Sequence, residues 1–269
     1  MSYARPVPAE LADGRFYNER GESFYLSPAK LEGDYAPVRF ARELRLFREF
    51  APRGRVLDVG CSTGAFLHQL KSRWPDDYTV LGNDVTEAAL AHAEDRGVTV
   101  RRGSLLEIDF GGEQFDAVTF WAVLEHLVKP RQFLGKAADL LRPGGHCFAL
   151  VPNLGSLAIR LLGARYRYVM PDHVNYFSRA TLTAFAATEP RLKLVALRST
   201  HFNPVVIWQD WRRAPERVAD AERAALLKRT TAWKQSRSTA LIRPVYAAAE
   251  RMLGQLFLAD NLVAVLRRR

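Results

Sequence analysis

The chain has 269 residues, 48% of them hydrophobic and 25% charged, enough for one full core and ordinary for a globular protein. No run of about 18 uncharged apolar residues occurs, so no membrane-spanning helix is expected, and Met1 to Leu11 lacks the apolar centre of a signal peptide. The net charge of +10 sits wholly in residues 191–269, where 16 Lys/Arg outnumber 6 Asp/Glu, while residues 1–190 hold 23 of each. Such an excess suits nucleic acid, an anionic membrane surface or an anionic substrate, or simply forms a solvated helical face. Cys61 and Cys147 fall in a glycine turn and an expected central strand. They read as small buried side chains, which fits a reducing cytoplasm and argues against a disulfide.

Residues 1–34 mix Pro6, Pro8, Gly14, Gly21, Pro28 and Gly33 with Phe16, Tyr17, Phe24 and Tyr25, and are expected to form an irregular arm anchored by aromatics. From Tyr35 to Phe50, apolar residues recur about three apart, the spacing of an amphipathic helix. Strands are then expected near 55–60, 79–84, 98–102, 115–120 and 146–151, with helices near 64–73, 86–96 and 130–142. Pro130 suits a helix start and Pro143-Gly144-Gly145 a stop. Alternation of this kind predicts a doubly wound, mainly parallel sheet with helices on both faces. Two more strands, Leu192 to Ser199 and Asn261 to Leu266, bring the sheet to about seven. Between them lies an insert with one helix from Pro215 through Leu226 and another from Pro244 through Phe257. The expected organisation is therefore an arm and lead-in helix at 1–50, a core at 51–200 completed by 260–269, and a helical insert at 201–259.

The densest information lies in Val56-Leu-Asp-Val-Gly-Cys-Ser-Thr-Gly-Ala-Phe66. A short apolar strand carries Asp58 near its end, Gly60 and Gly64 make a tight turn, and Phe66, Leu67 and Leu70 open a helix. That turn lets a ligand approach the backbone at the carboxyl end of a sheet strand. Ser62 stands where a Gly-x-Gly-x-x-Gly dinucleotide fingerprint has its second glycine, and Asp58 would repel a pyrophosphate. A nicotinamide oxidoreductase is disfavoured on both counts; a nucleoside with a cationic tail fits better.

These residues resemble the first motif of the class I S-adenosylmethionine-dependent methyltransferases, a Rossmann-like family. The resemblance extends in order over about residues 35 to 200. It takes in Val80-Leu-Gly-Asn-Asp84, Phe115-Asp-Ala-Val-Thr-Phe120, Leu124-Glu-His-Leu127 and Leu141-Arg-Pro-Gly-Gly145. It implies S-adenosyl-L-methionine as cofactor. Asp58 would position the turn or the methionine ammonium, with Gly60, Cys61, Ser62 and Gly64 along the amino-acid tail. Asp84 would take the ribose, with Val85 against the adenine. Ser104 stands where the family often has an Asp, so one hydroxyl and the Leu105 backbone are left for the adenine edge. Trp121 falls where side chains line the cofactor cleft, or equally in the core.

On the acceptor side, His126 and His173 are the candidates for a general base or substrate contact. The other histidines, His68, His92, His146 and His201, have sufficient structural explanations or no distinguishing context. Ser178 also reads as an N-cap for Ala180 to Ala187, which gives the 170–178 segment a purely architectural alternative. The Glu125-His126 pair resembles the ubiquinone-pathway O-methyltransferases, whose divalent-metal site includes a further Glu three residues earlier. Ala122 occupies that position, and Glu125 with His126 alone makes a poor magnesium site, so no metal is expected.

The resemblance implies methyl transfer to a small-molecule or lipid-like acceptor, most readily at oxygen, with carbon or nitrogen as alternatives and a non-catalytic cofactor-binding subunit as another. Nucleic acid is disfavoured, because Phe120-Trp-Ala-Val123 replaces the Asn/Asp-Pro-Pro-Tyr/Phe of base-amino methyltransferases. The apolar stripe from Ala249 to Phe257, with Arg243 and Arg251 beside it, is expected as a lid or packing helix. Its alternative is peripheral contact of residues 238–259 with an anionic membrane. A cytoplasmic location is expected, and the sequence is silent on oligomeric state.

Overall fold

The computed structural model describes residues 2–3, 15–212, 219–236 and 243–269. Pro215 to Val218, expected to open a helix, and residues 238–242 of the expected membrane-contact segment lie outside these.

Seven strands make one sheet: β1 Gly54–Val59, β2 Tyr78–Asp84, β3 Thr99–Arg102, β4 Phe115–Trp121, β5 Leu141–Pro152, β6 Leu192–Thr200 and β7 Asn261–Arg268. Their order is β3-β2-β1-β4-β5-β7-β6. The first five run parallel, and β7 inserts antiparallel between β5 and β6. The helices are α1 Arg15–Glu19, α2 Pro28–Tyr35, α3 Ala41–Phe50, α4 Ala65–Arg73, α5 Glu87–Asp95, α6 Pro130–Leu140, α7 Leu157–Leu162, α8 Arg179–Ala186, α9 Pro204–Arg212, α10 Asp220–Gln235 and α11 Arg243–Gln255. None is long and apolar enough to cross a membrane among the described residues.

The central strands are buried on both faces, so their apolar residues run almost without interruption. One core, on the α3 and α4 side, includes Phe47, Val56, Phe66, Leu67, Leu90 and Phe148. The other, under α6 and α8, includes Leu57, Phe120, Leu134, Phe177, Phe185 and Leu266. Alternating residues of β1 serve the two: Val56 faces the first and Leu57 the second. The sheet order reverses between β1 and β4, which opens a crevice at their carboxyl ends.

Two expectations change. The described part of the arm is more regular than its Gly and Pro content suggests: α1, a π-helical turn at Gly21–Tyr25 and α2 occupy most of residues 15–34. Tyr35 closes α2 and does not open the lead-in helix, which starts at Ala41, because Pro37 interrupts the run. In the insert, α9 was not apparent from the sequence, and the helix expected through Leu226 continues to Gln235.

Insert and arm close over the sheet together. A Cβ on Gly33 of α2 would lie 2.7 Å from Leu227 Cγ of α10, so only glycine lets these helices meet so closely. Arg20 Nε donates to Asp220 Oδ2 at 2.8 Å. Helix α11 docks on β6, where a Cβ on Gly254 would lie 2.8 Å from the Ser199 carbonyl oxygen, and Leu253 is buried. Met252 and Leu256 of the same stripe remain exposed. Several cations of the C-terminal part have acidic partners, among them Arg198 with Glu49, Arg191 with Glu189 and Lys228 with Glu32.

The buried Glu43 of α3 is tied to His201, beyond β6, by a 2.5 Å hydrogen bond. Burial alone would raise the Glu43 pKa, but the His201 charge and hydrogen bond outweigh it and hold the carboxyl at about 2. The depressed value stabilises the folded state above the ordinary glutamate value of 4.5, and this contribution is lost as pH falls through about 2. Glu43→Gln is therefore expected to lower unfolding stability at pH 7 by roughly 2–3 kcal/mol. In denaturant titrations at several pH values, that deficit should shrink steadily below pH 4.5.

Candidate functional site

Beyond β1 the main chain reverses through three left-handed residues, Gly60 (φ 70°), Ser62 (φ 50°) and Gly64 (φ 73°). A Cβ on Gly60 would lie 2.5 Å from Val123 Cγ2, so conformation and space both require glycine there. The amides of Gly60 and Cys61 both donate to the Asn83 carbonyl, at 2.7 and 3.0 Å, which ties the turn to the end of β2. Cys61 fills the notch left by Gly82, whose missing Cβ would lie 2.6 Å from its sulfur. Burial pushes the Cys61 thiol well up. Cys147 is likewise free and buried.

Asp84 braces the turn from the side. Its Oδ2 accepts from the Ser62 amide at 2.7 Å, and its Oδ1 from the Val85 and Thr86 amides at 2.7 and 2.9 Å. Burial pushes its pKa up against the pull of those amides. Asp58 is buried and accepts from the Thr119 hydroxyl at 2.6 Å. Its burial pushes the carboxyl up to about 7, opposed by the Thr119 bond and reinforced by Asp84. Two acids thus flank a glycine turn with little positive charge near them, a setting that favours a cationic ligand group and opposes a phosphate.

Trp121 ends β4 with its ring 5.2 Å from Phe66 and 6.1 Å from Phe148. Its indole Nε1 and the Ser62 hydroxyl are buried without a hydrogen-bond partner, yet both residues line the cavity. Orphaned donors of this kind are costly unless a ligand satisfies them. Val85 and Ser104 line the same wall, with the Ser104 hydroxyl 3.4 Å from the Leu106 amide, and Leu105 is buried in the core beneath. All ten residues expected along the cofactor cleft, except Gly64, line this one cavity. Gly64 lies behind the turn, where a Cβ would meet Ala93 at 2.9 Å.

The cavity encloses about 1070 Å³, more than one nucleoside ligand needs. Its far side holds Glu125, His126 and His173. The two imidazoles, from separate segments, meet edge to face with centroids 4.7 Å apart. His126 Nδ1 lies 2.8 Å from the Asp172 carbonyl and His173 Nδ1 2.8 Å from the Tyr168 carbonyl. A carbonyl only accepts, so each Nδ1 carries the proton and each Nε2 keeps its lone pair. Burial lowers both pKa values, that of His173 to about 2 with the neighbouring His126 adding to the effect. Both rings are neutral at pH 7. The alternative role for the 170–178 segment is also present: Ser178 caps α8 in a reciprocal capping box with Thr181.

Sequence reasoning missed the roof. Tyr17, Arg20 and Tyr25 of the arm and Tyr168, Arg223 and Tyr246 of the later segments all line the cavity. The arm's aromatics were visible as anchors, but nothing in their spacing aims them at a site. Glu125 was seen only as half of a pair.

A family model described as a methyltransferase domain matches residues 34–188. The ubiquinone biosynthesis O-methyltransferase of Acinetobacter baylyi is 30% identical over 165 residues, 56% of this chain and 68% of that protein. Those of Ruegeria pomeroyi and Dinoroseobacter shibae are 36% and 35% identical over 149 and 120 residues, 52% and 42% of this chain. The chain spans only about half the length of these two, 58% and 47%. Among solved structures, a possible histamine N-methyltransferase from Thermotoga maritima aligns over 95% of this chain and 97% of its own, with TM-score 0.57 and 17% identity. The N-methyltransferase NodS of Bradyrhizobium japonicum, solved with S-adenosyl-l-homocysteine, aligns over 93% and 97% with TM-score 0.55 and 16% identity, likenesses that concern the fold alone. With the matched domain covering more than half of the sequence, the sheet order and the glycine turn between two acids in agreement, the chain belongs to the class I S-adenosylmethionine-dependent methyltransferase family.

Proposed function

We propose that the protein transfers a methyl group from S-adenosylmethionine to an oxygen of a small-molecule or lipid-like acceptor. The observation that carries this reading is a single cavity lined both by an acid-flanked glycine turn and by two imidazoles whose pKa values burial lowers. The names of the relatives, ubiquinone biosynthesis O-methyltransferases, support oxygen as the methylated atom.

When bound, S-adenosylmethionine supplies an electrophilic methyl on a sulfonium sulfur. Asp58 and the Gly60 to Ser62 backbone would hold its amino-acid tail. Asp84 keeps unused lone pairs for the ribose hydroxyls, and Trp121 would offer its indole N–H. Alignment of donor and acceptor by such contacts can lower a barrier by roughly 7–11 kcal/mol. The roof excludes water, and the Nε2 atoms of His126 and His173 receive the acceptor hydroxyl. Arg223 is partly buried, and desolvation lowers its pKa against the opposing charges of Asp172 and Asp220, the latter 4.0 Å away. That places an incompletely balanced cation beside the acceptor and favours an acceptor bearing negative charge.

Calorimetric titration should show micromolar binding of S-adenosylhomocysteine and none of NAD or NADP, with Asp84→Ala weakening the affinity at least tenfold. No binding by folded protein would overturn the cofactor reading, and binding without turnover of any phenolic or lipid acceptor would favour the non-catalytic alternative. His126→Ala is expected to lower kcat by about 10²–10³-fold while leaving cofactor affinity within twofold. Since burial holds His126 below the ordinary value of 6.5, wild-type activity should not fall off until the pH is below 6.5.

A lipid-like acceptor is favoured by the apolar surface of α7 and α9, where Leu161, Trp208 and Trp211 are 64%, 52% and 63% exposed beside Arg160 and Arg212. Exposed Val245 and Met252 on α11, and Leu256 just after it, extend the reading to the segment expected from the sequence. Co-sedimentation with phosphatidylglycerol vesicles should exceed that with phosphatidylcholine vesicles, and Trp208→Ser with Trp211→Ser should reduce it severalfold. Equal sedimentation of wild type with both would sink the membrane reading.

A further inference from the structure

We propose that Glu125, His126 and His173 bind one divalent transition-metal cation, zinc-like in its preferences, at the acceptor end of the cavity. The expectation of no metal considered only Glu125 and His126, with Ala122 in place of a third ligand. Folding supplies the third ligand from elsewhere. One ligand atom from each of the three residues lies within 4.8 Å of the others.

The segment carrying His173 is fixed against the Glu125 loop by its neighbour Asn175. The Asn175 amide donates to the Glu125 carbonyl at 2.9 Å, and its side chain donates to the carbonyls of Leu124 and Leu127 at 3.0 and 2.6 Å. These bonds hold the two sources of ligands together whether or not an ion is bound.

Three observations point to a cation. First, Glu125 is 1% exposed, and neither carboxylate oxygen has a hydrogen-bond partner. An isolated buried carboxylate is among the costliest groups a fold can carry, and a dication would balance it. Second, both imidazoles already have the tautomer of a metal ligand, with Nδ1–H donated to a backbone carbonyl and Nε2 left bare. Third, Asp172 lies behind His126 with Oδ2 3.8 Å from Nδ1, while its Oδ1 is buried without a partner, adding negative charge outside the ligand set. Arg20, 3.4 Å from Asp172, partly offsets that charge.

Two nitrogens and one carboxylate select the ion. Magnesium and calcium prefer all-oxygen shells, whereas two imidazoles with a carboxylate suit zinc, iron(II) or cobalt(II) and leave positions open. Tetrahedral coordination with bonds of about 2.1 Å sets ligand atoms about 3.4 Å apart, so binding would draw the three side chains inward from their 4.8 Å span. The open positions would face the acceptor. A hydroxyl oriented there by a dication loses its proton more readily, and the imidazoles would act through the ion and not as free bases. This use of the ion rests on the methyltransferase reading; the binding itself does not.

The test uses the full chain, treated with a chelator and then titrated with Zn²⁺ by calorimetry and with Co²⁺ by visible absorption. One equivalent should bind at micromolar affinity or better, and Co²⁺ should develop the intense bands of a low-coordinate site. Glu125→Gln and His173→Gln should each weaken binding at least tenfold, and His68→Gln, outside the cavity, should leave it unchanged. S-adenosylhomocysteine titration of every variant reports folding separately. Should one of the two ligand variants fail to fold, the other gives the same reading. No stoichiometric binding by wild type, or binding indifferent to both ligand substitutions, would overturn the site. Zinc binding without S-adenosylhomocysteine binding would leave the metal site standing and remove its proposed use.

Discussion

A single carboxylate sets the geometry on which the cofactor end depends. Asp84 terminates β2 and collects amides from both sides, Ser62 from the turn after β1 and Val85 and Thr86 from its own chain. Without that acceptor, three buried N–H groups would need other partners, and the strained Ser62 would have nothing to hold its left-handed conformation. The Asn83 carbonyl does the complementary work by accepting the Gly60 and Cys61 amides. Two adjacent residues of β2 thus hold the turn's main chain in place, Asp84 by its carboxylate and Asn83 by its carbonyl, while the glycines supply left-handed conformation and room.

The acceptor end is built on a different plan. There the sheet contributes only its loops, and the walls come from three remote parts of the chain: the arm, the segment after β5 and the insert. These parts are joined by polar contacts, including Arg20 with Asp220 and the buried Arg167 with Asp210. Loops positioned on a rigid scaffold are where acceptor specificity would be set.

How much could be read in the sequence follows from the same division. The core was legible because its signals are local: apolar runs of strand length, the Gly60 and Gly64 turn, and the Pro143-Gly144-Gly145 stop. The antiparallel placement of β7 has no local signal in the sequence. The arm was misread because its Gly and Pro residues cap and separate short helices, where a loop would also use them. Helix α9 was overlooked because its Val, Ile and Trp residues fit a strand as well as a helix. Of the site, the residues expected along the cofactor cleft, apart from Gly64, could be placed on one cavity because each lies at or just after the end of a strand that is itself legible. The grouping of Glu125, His126 and His173 was not, because it depends on Asn175 binding a loop about 50 residues away.

The position of β7 has a consequence for how the molecule is made. It lies between β5 and β6, yet residues 201–260 separate it from β6 in the chain. During synthesis on the ribosome, β6 emerges with no place in the sheet, since the strand that must pair with it has yet to be translated. Until β7 arrives, β5 presents an open edge and β6 a free one, both carrying unpaired main-chain groups. At that stage the five parallel strands have one another as sheet partners, and the turn after β1 has β2 beside it. The last strand then locks the sheet and positions β6, on which α11 rests. The cavity wall contributed by the insert is thus completed after the glycine turn.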